Sequence, residues 1–212
     1  MYKAKELEIL IQEYEKSIIQ SEAEVRSKFI VPLLDCLEYP SELRAEEYPV
    51  YGFEGGKKLP AKDVDFIVFS DKNFGHYRTF VQKNIEWVQN HSLLVVEAKK
   101  PGTMPEVLCQ PVYYTIWTKA VAYLVIDGKS IKGYFYNGIT ADRQIIDCKI
   151  SELLNHTEIW NFSYQNILSI KEKGTAITET DDVRIIKEAV AEIDGEYEIL
   201  TSDDDIDLPE ET

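Results

Sequence analysis

Two short apolar runs, Val64–Phe69 and Leu93–Ala98, constrain this chain more than anything else in it. Both are apolar and largely β-branched or aliphatic, and both are too short for an ordinary buried helix, so they read as strands covered on both faces. Tyr48–Phe53 alternates aromatic and aliphatic residues and reads as a further strand. Ala120–Ile126 and Ile131–Tyr136, joined by Asp127-Gly128-Lys129, predict a hairpin with a turn-forming Asp-Gly. The fold class expected is α/β: a central mixed β-sheet flanked by helices.

The helices are read from apolar spacing. Leu7, Ile11, Tyr14 and Ile18 place one over about Ala4–Ile19. Ser21 followed by Glu24 is a capping-box start for a second, running to about Leu37, with Val25, Phe29, Leu33 or Leu34, and Leu37 facing a core. Pro32 falls inside it and predicts a kink or a break. Phe74–Asn90 fits an inserted helix, Pro105–Trp117 a helix started by proline, and Asp181–Ile193 a final one. No internal repeat is present.

At 212 residues and 44% hydrophobic, the chain can bury one sizeable core. We expect one main domain over 1–174 and a C-terminal helix with an acidic tail over 175–212. No apolar stretch approaches the roughly 18 residues of a membrane span, and no charged and apolar leader opens the chain, so a cytoplasmic protein with no membrane partner is expected. Cys36, Cys109 and Cys148 are odd in number and lack paired spacing, which argues against disulfides or a zinc site and for reduced, structural thiols.

The net charge of −15 argues at first against a phosphate-binding surface. Counting by segment changes that. From Thr175 to Thr212 there are 14 acids against Arg184 and Lys187, a net of −12, which leaves −3 for the other 174 residues. The tail from Ser202 has the composition of a solvated or partner-binding segment, and one that could compete with a polyanion for a basic cleft.

Chemistry concentrates at the ends of the two apolar runs: Asp65 in one, Glu97-Ala98-Lys99 in the other. A strand alternates faces, so Glu97 and Lys99 point to one side, while the carbonyl of Ala98 can turn toward a cation. Taken alone, a Glu-x-Lys at a strand end is more often a solvated terminus. Two carboxylates and a backbone carbonyl are nevertheless the hard oxygen donors that Mg²⁺ takes, with Mn²⁺ as a substitute. Asp65 and Glu97 would hold the metal, and Lys99 would orient a water and offset phosphate charge. Asp63 is a rival for Asp65, on the same side of the strand.

Val64-Asp65-Phe66-Ile67-Val68-Phe69 followed by Leu94-Val95-Val96-Glu97-Ala98-Lys99-Lys100-Pro101-Gly102 resembles the nuclease domain at the N-terminus of type I restriction enzyme R subunits, in the PD-(D/E)xK superfamily. The resemblance spans roughly Ser21–Asn137. Glu24, ahead of Ile30-Val31-Pro32-Leu33-Leu34, resembles that family's first-helix acid, and Gln110-Pro111-Val112-Tyr113-Tyr114 its QxxxY element. It implies a restriction-endonuclease-like core in which Asp65, Glu97, Lys99 and Glu24 are catalytic. Asp65, Glu97 and the Ala98 carbonyl would ligate metal, and Gln110, Tyr114 and Lys100 would position DNA. A capping role for Glu24 and a structural Gln110–Tyr114 pair are the plainer alternatives.

Two departures from that pattern matter. No GxxxxGK[ST] loop occurs, so no ATP site is expected in this chain. The 32 residues from Asp65 to Glu97 are long for neighbouring strands and imply an insertion around Asn73–Asn90, with Tyr77, Arg78, Lys83 and Trp87 available to a partner. The leading expectation is a magnesium-dependent endonuclease cutting DNA in a prokaryotic restriction or defence system. A binding or regulatory subunit acting through protein contacts is the alternative, and action on RNA or a nucleotide a third. Arg26, Lys28, Lys57, Lys58, Lys62, Lys99 and Lys100 are the candidates for a phosphate-facing strip.

Overall fold

The computed structural model describes residues 3–51, 53–54, 57–58, 62–71, 85–106, 108–138 and 142–177. The chain divides into two units, Met1–Lys171 and Glu172–Thr212, a few residues before the expected boundary. The first unit carries the main β-sheet and both hydrophobic cores. The predicted final helix at Asp181–Ile193 and most of the predicted insertion lie outside the described residues.

Six strands form one mixed sheet. They are β1 (Arg44–Val50), β4 (Lys62–Phe69), β5 (Ser92–Ala98), β6 (Ala122–Ile126), β7 (Ser130–Phe135) and β8 (Arg143–Lys149), hydrogen-bonded in the order β1-β4-β5-β6-β7-β8. Two-residue strands β2 (Phe53–Glu54) and β3 (Lys57–Lys58) pair separately. Only β5 and β6 run parallel within the six-stranded sheet. A parallel pair needs a crossover, and helix α5 (Cys109–Thr118) lies in it. Every residue of β5 and β6 is buried, as their uninterrupted apolar runs require.

The two faces of the sheet carry separate cores. Leu94, Val96, Leu124 and Ile126 pack with Leu7, Ile11, Val25, Phe29 and Leu33 on one face. Ile67, Phe69, Val95, Tyr123 and Val125 pack with Val88 and Tyr114 on the other. The first face is covered by α1 (Ala4–Glu15), α2 (Glu22–Val25) and α3 (Val31–Cys36). The second is covered by α4 (Ile85–His91) and α5.

Helix α1 ends earlier than its spacing predicts. Ile18 lies beyond it and is 76% exposed, while Leu10 takes its place in the buried stripe. Pro32 does not break the second helix. Arg26–Ile30 widens into a π-helical turn between α2 and α3, in which the Val31 amide donates to the Arg26 carbonyl five residues back. Proline lacks an amide and its ring crowds the carbonyl four residues earlier, so the wider turn absorbs it without ending the helix. Val25, Phe29, Leu33, Leu34 and Leu37 remain fully buried.

Other boundaries move. The strand expected over Tyr48–Phe53 is β1, ending at Val50. Pro105 does not start α5, which begins at Cys109; the Met104 amide is held instead by the Asp127 carboxylate at 2.9 Å. Cys36 and Cys148 are buried and Cys109 exposed, all three as free thiols. Spacing did not reveal β8, the 3-10 turns Ile150–Asn155 and Thr157–Phe162, or helix α6 (Tyr164–Ile177). Lys171 Nζ donates to the carbonyls of Gln89 at 2.7 Å and Lys119 at 2.9 Å, meeting the orphan acceptors where α4 and α5 end.

Gly133 in β7 leaves no room for a side chain. A Cβ there would lie 2.5 Å from Phe162, 2.8 Å from Ile146 and 2.8 Å from Leu124. Gly133→Ala is expected to destabilise the protein by about 1–3 kcal/mol through overpacking, read as a lowered urea midpoint at an unchanged m-value. A midpoint equal to the native one would show that the Phe162 contact yields freely.

Candidate functional site

The site is built by register. Phe66 pairs with Val96 across antiparallel β4 and β5, which sets Asp65 opposite Glu97 on the same face. Beyond that pair the Ala98 amide donates to Asp65 Oδ2 at 2.7 Å. The Lys99 amide donates to the Ile126 carbonyl at 2.8 Å, which carries the chain along β6 one residue further. Lys99 and Glu97 therefore share a face, and Lys99 Nζ donates to Glu97 Oε1 at 2.6 Å.

Helix α5 closes the arrangement. Lys99 Nζ also donates to Gln110 Oε1 at 2.9 Å, Gln110 Nε2 donates to the Tyr114 hydroxyl oxygen at 2.8 Å, and that hydroxyl donates to the Asp63 carbonyl at 2.7 Å. One chain of hydrogen bonds thus runs from Glu97 through Lys99, Gln110 and Tyr114 back to β4. Tyr114 is fully buried, so its hydroxyl has to be met inside the protein.

The two carboxyls stand in unlike surroundings. The Glu97 side chain is 3% exposed, and its Oε2 is buried with no hydrogen-bond partner. Burial, reinforced by Asp65 and Glu22 and opposed by Lys99, pushes the Glu97 carboxyl up to about 7. Asp65 is also raised, first by burial and then by Glu22, against the Ala98 amide, Arg26 and Lys99. Arg26 Nη1 lies 3.4 Å from Asp65 Oδ1 and 3.0 Å from Glu47 Oε1. Glu47 has a φ of +48°, an unfavourable conformation for a residue with a Cβ. It falls between the pairs Glu46–Phe66 and Tyr48–Val64, opposite Asp65.

The structure brings together Asp65, Glu97, Lys99, Gln110 and Tyr114, with the Ala98 peptide contributing its amide to Asp65. It does not bring in Glu24. That carboxylate receives the Ser21 amide at 3.2 Å, the Gln20 amide at 2.9 Å and Lys28 Nζ at 2.9 Å, so it completes the capping box at the start of α2. Hydrogen bonds from Lys28 and the Gln20 amide hold it down to about 2. The first-helix acid whose charge reaches Asp65 and Glu97 is Glu22. Glu22 and Arg26 are spaced i, i+4, beside the buried Val25–Phe29 stripe, and that spacing was the signal available for them.

The expected basic strip is largely engaged within the protein. Arg26 turns onto two carboxylates, Lys28 onto Glu24, and Lys62 lies 4.9 Å over the ring of Tyr113. Lys100 is exposed, and Asp63, the rival acid, has an exposed side chain and contributes only its carbonyl. The side chains of Lys57 and Lys58 lie outside the described residues.

Among the described residues, no three or more His, Cys, Asp or Glu side chains gather as a metal site. The donor chemistry still suits a hard cation: Asp65 and Glu97 share a face, and Glu97 Oε2 is a buried oxygen that no donor satisfies. No family model, no curated protein and no solved structure matches this chain.

A raised carboxyl pKa opposes folding at high pH. Glu97 deprotonates near 4.5 when unfolded and near 7 when folded, so its penalty grows between those values and is complete above them. In a metal-free buffer, the stability of Glu97→Gln minus that of the native chain is expected to rise by roughly 3 kcal/mol from pH 4 to pH 8. Urea unfolding at each pH measures this; a flat difference would mean that Lys99 fully offsets the burial.

Proposed function

We propose that the chain is a magnesium-dependent endonuclease hydrolysing DNA phosphodiester bonds, with the restriction-endonuclease-like core that its resemblance to type I R-subunit nuclease domains implies. The observation that carries this reading is the unsatisfied, buried Glu97 Oε2 beside Asp65, with Lys99 held at 2.6 Å on the other oxygen of the same carboxyl. A prokaryotic restriction or defence role follows from the resemblance.

In this reading Asp65, Glu97 and the carbonyl of Ala98 would hold Mg²⁺. When bound, the ion would lower the pKa of a water and offset charge on the scissile phosphate. Lys99 is positioned by Gln110, which fixes its ammonium without adding charge. That ammonium faces the phosphate and orients the attacking water, stabilising charge that develops as the bond to the leaving oxygen breaks. Tyr114 serves by holding Gln110 and the Asp63 carbonyl, so that β4 and β5 keep their acids in register. The Ala98 amide and, after it, Arg26 and Lys99 oppose the burial that raises the Asp65 carboxyl.

The inward turn of Arg26 and the pairing of Lys28 support a second reading, in which the fold serves as a binding or regulatory subunit that works through protein contacts. Plasmid cleavage separates the two. Supercoiled plasmid with Mg²⁺ or Mn²⁺ is expected to be nicked by the native chain. Glu97→Ala should leave no cutting, and Lys99→Ala should slow it by on the order of 10²–10³-fold. No cutting by the native chain, with or without the residues after Ile193, would favour the subunit.

A further inference from the structure

Three surface grooves stand out among the described residues, and their charges differ. Glu6, Glu13 and Asp35 outnumber Lys28 in one, and Glu46 and Glu47 outnumber Arg26 in another. The third, about 480 Å³, has Lys129 and Lys149 against Glu15, together with the hydroxyl-bearing Ser17, Ser130 and Ser151. In a chain of net charge −15, a groove with a basic, hydroxyl-rich lining stands apart.

Backbone hydrogen bonds tie this groove together, and a short segment joins it to the candidate site. Asp127 is 2% exposed, and its Oδ1 accepts the amides of Lys129 at 3.0 Å and Ser130 at 2.7 Å. The Lys129 carbonyl accepts the Ile150 amide at 2.8 Å, locking the β6–β7 turn to the 3-10 turn that carries Ser151. Gly128 is required: its φ is +76°, and a Cβ there would lie 2.9 Å from the Tyr14 hydroxyl and from Val25. The Gly102 amide donates to the Asp127 carbonyl at 3.2 Å, and the Lys129 ammonium lies 3.3 Å from where a Gly102 Cβ would be. The segment Lys99-Lys100-Pro101-Gly102 therefore links the candidate site directly to the groove, and Pro101 lines it.

We infer that this groove binds the phosphodiester backbone of the nucleic-acid strand flanking the position acted on at Lys99. The inference rests on the nuclease reading for its geometry. Lys129 and Lys149 supply ammonium groups to successive phosphates, and Ser130 and Ser151 supply hydroxyl donors to their free oxygens. Lys149 lies 3.7 Å from Glu152 with 70% and 51% exposure, a surface pair weak enough to exchange for phosphate. Lys129 pairs with no carboxylate among the described residues.

The test is fluorescence anisotropy of a short labelled DNA duplex bound to the full chain in EDTA, so that binding is read apart from cutting. Lys129→Gln/Lys149→Gln keeps both stems and removes both charges. It is expected to weaken binding on the order of tenfold and to lower the slope of log K against log salt by about 2. Lys3→Ala/Lys5→Ala, equal in net charge, should change binding little. Unchanged affinity and slope in the glutamine variant, no duplex binding by the native chain, or full displacement of duplex by AMP each overturn the groove, even if the native chain cuts plasmid. Lysine-dependent duplex binding by a chain that does not cut would uphold the groove and sink the nuclease reading.

Discussion

A carboxylate taken out of water loses several kcal/mol of hydration unless partners replace it, and Glu97 has given up nearly all of its water. Much of the local structure meets that cost. Lys99 satisfies one oxygen, Gln110 holds Lys99, Tyr114 holds Gln110, and the Asp63 carbonyl receives Tyr114. Helix α5, which packs on the sheet through an apolar core, thus also keeps one ammonium beside one buried acid. Glu97 Oε2 is left out of this compensation, and an uncompensated buried oxygen at a strand end is a cost the apolar core alone gives no reason to bear.

Where period 2 and burial governed, the sequence was a reliable guide. Val64–Phe69 and Leu93–Ala98 lie within β4 and β5, and Asp127-Gly128 makes the turn of the β6–β7 hairpin, because each pattern reports a local constraint. β8 was missed for a related reason. As an edge strand it carries Arg143, Gln144, Asp147 and Lys149 exposed, and its alternation is too polar to stand out. Pro32 was read as a kink or a break; the α-helix is interrupted there, by a widened π-helical turn instead of an end, with Phe29 and Ile30 in the core beneath it.

The site was legible along the strands and less so across the helices. Glu97 and Lys99 follow from the period of a strand and stand across from Asp65 by register, whereas Gln110 and Tyr114 were singled out by the QxxxY resemblance, their i, i+4 spacing placing them on one face. Glu24 had two readings from the start, and the helix start claims it: two backbone amides and Lys28 occupy it, whereas Glu22, two residues earlier, acts on Asp65 and Glu97. A capping box fixes which acid faces the helix end, so the neighbour on the adjoining face is the one left to look across at the sheet.

Arg26 shows why counting cations in a sequence misjudges a surface. Its guanidinium sits between Asp65 and Glu47, and Glu47 has a left-handed backbone. A strained residue persists only where its surroundings over-determine it, and here they include the pairing of Arg26 with both Glu47 and Asp65. A cation turned onto carboxylates in this way offers less of its charge to a polyanion at the outer surface. Positive charge available to a polyanion must then come from elsewhere, and among the described grooves that is the β6–β7 turn, where Lys129 and Lys149 are exposed and Asp127 spends its carboxylate on backbone amides.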